Sequence, residues 1–182
     1  MGKGVCLPRT SKGFKLIELL IVVFIIGVLA SIMIPTARVS IHRARAKSTM
    51  KNISVISKAI TSYTMDNGYI PVQSGSYDSN STFYKELSPF YIKLLPIKDK
   101  WENGFRVWCG SSVNGNYGIS GAIGNDHLVV SFGSDKVKEE DFSFDANSPE
   151  DGLFVLSRMS DFNKDLIMWN GHWIRRPRNV GD

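Results

Sequence analysis

Lys12-Gly13-Phe14-Lys15-Leu16-Ile17-Glu18-Leu19-Leu20 opens the stretch on which the whole chain is organised, and apolar sequence follows it from Ile21 to Ala30 and, after Ser31, on to Ile34. Between Phe14 and Ile34 only Lys15, Glu18 and Ser31 are polar. At about 1.5 Å per residue these 21 residues (14 to 34) form a helix of roughly 31 Å, the thickness of a bilayer's hydrocarbon core. The composition predicts a membrane-spanning helix. Glu18 is its anomaly, because a lone carboxylate in such a segment costs on the order of 2.5 to 3.5 kcal/mol and needs a partner.

A cut after Gly13 supplies one. It frees the amine of Phe14 four residues before Glu18 and sets a positive and a negative charge at one end of an apolar helix. A basic leader, then Gly, Phe, three residues and Glu, resembles the class III signal of type IV pilins and type II secretion pseudopilins. The resemblance implies that a prepilin peptidase cuts after Gly13 and methylates Phe14, and that Glu18 meets a neighbouring subunit's terminal amine during assembly. Lys15 stands where the family usually has Thr. An ordinary secretory signal would put a small-residue cleavage site after the apolar core, near Ala30 or Ala37, and a simple signal anchor would keep the segment; neither calls for an acid directly after Gly-Phe.

Charge and cysteine usage agree with cleavage. The formal charge of +5 falls to +2 when residues 1–13 leave, since Lys3, Arg9 and Lys12 go and no acid does. So small an excess gives little support to nucleic-acid binding, which shows a dense basic face. The leader's charges suit retention on the cytoplasmic side. Of the two cysteines, Cys6 lies in the leader, leaving Cys109 with no intramolecular disulfide partner in the mature chain.

Beyond Pro35, a kinking residue where the helix leaves the membrane, Arg38, His42, Arg43, Arg45, Lys47 and Lys51 make the sequence polar, while Met50, Ile53, Ile56, Ile60 and Tyr63 recur at helical spacing. Asp66-Asn67-Gly68 supplies the stop. A helix from Phe14 to about Met65 would hold 52 residues, roughly 78 Å. Ser62 to Pro71 resembles the helix end of the major, G-type pseudopilin, and Leu95 to Phe105 resembles its Leu-Pro, Asp-Pro-Trp-Gly-Asn-Pro-Tyr motif, with Asp99, Trp101, Asn103 and an aromatic kept. Trp101 reads as a core anchor.

The segment from Gln73 to Thr82 reads as loop, and Phe83 to Leu95, broken by Pro89, as a short helix or two. Strands are expected at Phe105 to Cys109, Gly115 to Ser120 and Leu128 to Phe132, with a turn at Asn125-Asp126. Nine acids crowd the 31 residues from Asp135 to Asp165. Leu128 to Asp135 and Asp165 to Trp169 resemble the two flanks of a family loop that holds calcium, which makes Asp135 and Asp165 the implied ligands. No cofactor is otherwise required, and the alternative for these acids is a solvated face. Trp169, Trp173, Arg175, Arg176 and Arg178 read as a short terminal strand with a basic end, finishing at Pro177, rather than as a nucleic-acid patch.

His42, His127 and His172 fall in no metal or nucleophile motif, and Cys109 in a strand reads as packing, so no enzyme is expected. The resulting expectation is an α+β, pilin-like fold: a long N-terminal helix, membrane-spanning in its first half and amphipathic in its second, packed on a small antiparallel β-sheet head. Residues 1–13 are leader, 14–34 the membrane and filament-core helix, 35–182 the periplasmic head. The resemblance implies a structural subunit of a type II secretion pseudopilus, single-pass in the bacterial inner membrane before assembly. Its partners are copies of itself, the prepilin peptidase, the inner-membrane secretion platform and minor pseudopilins. Two alternatives stand: a type IV pilin for adhesion, motility or DNA uptake, and a ligand-binding ectodomain on a pilin-like anchor.

Overall fold

The computed structural model of the chain describes residues 13–178 and 180, without the side chains at positions 32, 35 and 36. The expected leader up to position 12, Cys6 included, lies outside the described residues. Two compact units divide the chain, Met1–Arg38 and Val39–Asp182. Helix α1, Leu16–Asn67, passes through both and has 52 residues, with an unbroken helical backbone through position 35.

In the first unit α1 is apolar on every side and its described side chains are exposed from Leu16 to Leu29. A helix that is hydrophobic all round is a helix meant for apolar surroundings. Among the described residues no helix is long and apolar enough to cross a membrane; the run expected at 14–34 includes Ile32, whose side chain is not described.

In the second unit the stripe read from the sequence is the core face of α1. Met50, Ile53, Ile56, Ile60 and Tyr63 are buried, joined by Ala46 and Ala59. Lys47, Lys51 and Lys58 lie on the opposite side and are exposed, as the 100° step per residue requires. The helix ends at Asn67, and Gly68 adopts φ 77°, the left-handed conformation that costs glycine nothing.

The head carries strands β1 (Ser74–Ser76), β2 (Arg106–Cys109), β3 (His127–Ser131), β4 (Leu153–Phe154), β5 (Leu166–Trp169) and β6 (His172–Pro177), with helix α2 (Thr82–Leu87) between β1 and β2. They form one sheet in the order β1-β2-β3-β5-β6-β4, antiparallel throughout except for the parallel β4–β6 pair. In α2, Ser81 caps the N-terminus by accepting from the Tyr84 amide at 3.2 Å, and Phe83 and Leu87 are buried.

Alternation along the central strands splits the core between the two sheet faces. Val107, Cys109, Val129, Leu166 and Met168 pack with α1, whereas Leu128, Val130 and Ile167 join Val113, Tyr117, Ile119 and Phe142 on the other side. Strand β3 is therefore buried at every position, the mark of a strand covered on both faces.

Two expectations change. The Gln73–Thr82 loop contains β1, whose Ser-Gly-Ser carries no strand signal and which exists because its backbone pairs with β2 at the sheet edge. No strand forms over Gly115–Ser120: Gly115, Tyr117 and Gly118 take φ values of 84°, 50° and 75°, which fold the segment into turns and bury Tyr117 and Ile119 over the sheet. Phe83–Leu95 holds one short helix, as expected, stopped ahead of Pro89.

Candidate functional sites: the helix start and the acidic loop

At the head of α1 the chain is open. Gly13 has no atom within 4 Å of an added Cβ, and Phe14 is 75 % exposed. Both precede the first helical residue, Leu16, so their peptide bond lies outside the helical hydrogen-bond ladder. Glu18 occupies the third helical position, and its Oε2 accepts the Lys15 amide at 3.1 Å. This is half of a capping box: the carboxylate reaches back to the residue before the helix, but Lys15 has no hydroxyl to return the bond. The positive end of the helix dipole adds a contribution of about 0.3 to 1 kcal/mol. Amide and dipole are the groups this chain's own first turn offers to Glu18.

The acidic loop leaves the sheet after β3 and returns at β5. Its neck is Gly133, at φ 66°, where a Cβ would stand 2.7 Å from the carbonyl oxygens of Phe162 and Asn163. Beside it the Ser134 amide donates to Phe162 O at 2.8 Å and Ser134 Oγ to Asn163 Oδ1 at 2.6 Å. Asp135, just beyond, is exposed and accepts the Val137 amide at 3.1 Å.

Asp165, at the other flank, is fully buried. Its Oδ2 accepts the Tyr117 hydroxyl and, at 2.9 Å, the Glu139 amide, while its own amide donates to Glu139 Oε2 at 3.3 Å. Its Oδ1 is buried without a hydrogen-bond partner. Burial pushes the carboxyl up to about 6, reinforced by the Glu139 and Asp135 carboxylates and opposed by the Tyr117 and Glu139 hydrogen bonds.

Glu139 is in turn held by Arg175 of β6. The guanidinium Nε donates to Oε2 at 2.7 Å and Nη2 to Oε1, a bidentate pair. A register shift in the β5–β6 pair, between Ile167 and Met168, sets Arg175 opposite Ile167 and so on the loop side of the sheet. There its Cζ lies 4.2 Å from the Phe142 ring centroid and 5.4 Å from that of Phe154. Asp135 and Glu139 also line a hollow of about 150 Å³ with Lys138, Asn163 and Lys164. Among the described residues no three His, Cys, Asp or Glu are grouped so as to hold a metal ion.

The residues weighed for catalysis are arranged against it. Cys109 and His127 are direct partners across β2 and β3. Burial pushes the thiol up to about 12 and holds the imidazole down at about 4, the reverse of a thiolate–imidazolium pair. His42 accepts the Trp101 indole N–H at 3.2 Å, and His172 is exposed.

One residue gains a role that its motif only hinted at. Asp99 is buried, and its Oδ1 accepts the amides of Trp101 and Asn103 at 2.8 and 2.9 Å while Oδ2 accepts the Ser131 hydroxyl at 2.7 Å. The spacing Asp-x-Trp-x-Asn was its signal, since a carboxylate can accept the second and fourth amides ahead of it. Trp101, expected as an anchor, is indeed 8 % exposed.

Comparison with known proteins agrees with this architecture. Residues 8–34 match the family described as "Prokaryotic N-terminal methylation motif". The type II secretion system core protein G of Escherichia coli K12 is 28 % identical over 143 residues, 70 % of this chain and 95 % of that protein. The Vibrio cholerae core protein G is 30 % identical over 104 residues, 54 % of this chain and 70 % of that one. The type IV major pilin protein PilE of Neisseria gonorrhoeae is 30 % identical over 110 residues, 60 % of this chain and 62 % of the pilin. No solved structure gives a significant match. With an exposed apolar helix leading into a helix-backed antiparallel head, and with these relatives, the chain belongs to the type II secretion core protein G family of type IV pilin-like pseudopilins.

Proposed function

We propose that the chain is a structural subunit of a type II secretion pseudopilus. It is made as a single-pass inner-membrane prepilin with its head in the periplasm, cut between Gly13 and Phe14, N-methylated at Phe14 and polymerised to support protein secretion. Its work is assembly rather than chemistry. Its partners are other copies of itself, the prepilin peptidase, the inner-membrane secretion platform and minor pseudopilins.

One observation carries this reading: the all-round apolar stretch of α1, exposed from Leu16 to Leu29, carries a single carboxylate, Glu18, in its first turn. In lipid or in a bundle of such helices the apolar faces are satisfied equally, so packing and polar pairing decide which arrangement forms. Glu18, held by one amide of its own chain, retains free acceptor capacity for the amine of a neighbouring Phe14. Pairing it sets the axial register, because a shifted neighbour leaves the charge unsatisfied. The exposure of the Gly13–Phe14 bond supports cleavage there.

N-terminal mass spectrometry of membrane-extracted protein, with and without co-expressed prepilin peptidase, tests the first half. Methylated Phe14 at the terminus is expected; an uncut chain, or cleavage near Ala30 or Ala37, would refute it. Glu18→Ala tests the second half: cleavage persists and filaments are lost. A type IV pilus subunit is the less favoured reading, because the match spans 95 % of the Escherichia coli core protein G but 62 % of the Neisseria gonorrhoeae pilin.

A further inference from the structure

The resemblance implies a divalent cation between the flanks of the acidic loop, yet the buried positive charge at the loop's base is a side chain. We infer that Arg175 is the resident cation of this loop, holding Glu139 directly and Asp165 through it, and that the native fold is independent of calcium.

Arg175 is 7 % exposed. Its Nε and Nη2 engage both oxygens of Glu139. Glu139 in turn clasps Asp165 with its amide and its carboxylate. Arg175, Glu139 and Asp165 thus link β6, the loop and the residue before β5 in one connected set, with the guanidinium as its one positive charge. The Phe142 and Phe154 rings on the guanidinium exclude water from it. Calcium wants six to eight oxygens at 2.3–2.6 Å. Here both Glu139 oxygens are committed to Arg175 and Asp165 Oδ2 to Tyr117 and Glu139, so of these four oxygens Asp165 Oδ1 alone is left over. The hollow beside Asp135 and Glu139 is lined by Lys138 and Lys164, whose charges oppose a divalent ion. The inference does not depend on the filament reading, since it concerns the head alone.

The test is thermal melting of the full chain in detergent, in EGTA and in millimolar calcium chloride. The native protein is expected to melt at one temperature in both. Arg175→Gln is expected to melt lower in EGTA than Arg178→Gln, whose exposed pair with Glu150 serves as control, and to regain part of the loss with calcium as the freed carboxylates bind the ion. A calcium-dependent rise in the native melting temperature would overturn the inference. So would an Arg175→Gln protein no less stable than the control, or one that folds but ignores calcium. Should Arg175→Gln fail to fold, calorimetric titration of the native protein with calcium decides alone: no saturable heat is expected, and saturable binding overturns the inference.

Discussion

Ser57 Oγ and His127 Nε2 stand 2.7 Å apart in the buried seam between α1 and β3, sharing a hydrogen bond whose direction follows the imidazole tautomer. Both residues are under 5 % exposed. The imidazole is neutral because burial holds it down at about 4, against an unfolded value of 6.5. Between those values the unfolded chain binds a proton that the folded chain refuses. The stabilisation is therefore complete above pH 6.5 and is lost as the pH falls through 6.5 toward 4. His127→Gln, which cannot titrate, should flatten this limb by on the order of 3 kcal/mol, read from urea midpoints across that range.

Asp165 works with the opposite sign. Its carboxyl, pushed up to about 6 from 3.8, keeps a proton in the folded chain that the unfolded chain has released. Its contribution is therefore greatest below pH 3.8 and diminishes as the pH rises to 6. In the native protein it offsets part of the His127 loss. Asp165→Asn should accordingly steepen the decline in stability on acidification below pH 6, and a shallower decline would contradict the assignment.

Asp99→Ala removes the acceptor for one buried amide, one part-buried amide and one buried hydroxyl. We expect a loss of about 2 to 4 kcal/mol in unfolding free energy, with Asp99→Asn losing less because its carbonyl still serves the amides. Equal losses would mean that shape rather than acceptor capacity is what Asp99 supplies.

Gly133→Ala should cost about 1 to 3 kcal/mol, since φ is 66° and the new Cβ would press on two carbonyl oxygens that cannot move without opening the neck. Gly104→Ala is the control, having open space at its Cβ and no positive φ.

Cys109 should resist a disulfide-exchange reagent at neutral pH in the folded chain and react at once in denaturant, because its thiol is 8 % exposed and pushed up to about 12. Rapid labelling of the native protein would require a different environment for this strand.

What was legible in the sequence lay close together along the chain. Lys12 to Leu20 and the apolar run after it announce the helix and its lone acid, because composition and a 3.6-residue period act over neighbouring turns. Met50 to Tyr63 names the core face for the same reason. Asp66-Asn67-Gly68 marks the stop because left-handed geometry is a property of one residue. The strand expected at Gly115–Ser120 misled, because its Tyr and Ile are apolar for the sake of covering the sheet, while its glycines turn the backbone.

The sequence by itself thus determined the long helix, its amphipathic half and the lone carboxylate Glu18 near its start, all of them consequences of local periodicity and charge. Only the tertiary structure decided which side chain pairs with Glu139 of the acidic loop and what keeps His127 neutral. Glu139 and Arg175 are 36 residues apart, and Ser57 and His127 are 70. Such pairs are made by strand register and by the packing of α1 on the sheet, and neither residue of a pair signals its partner in its own neighbourhood.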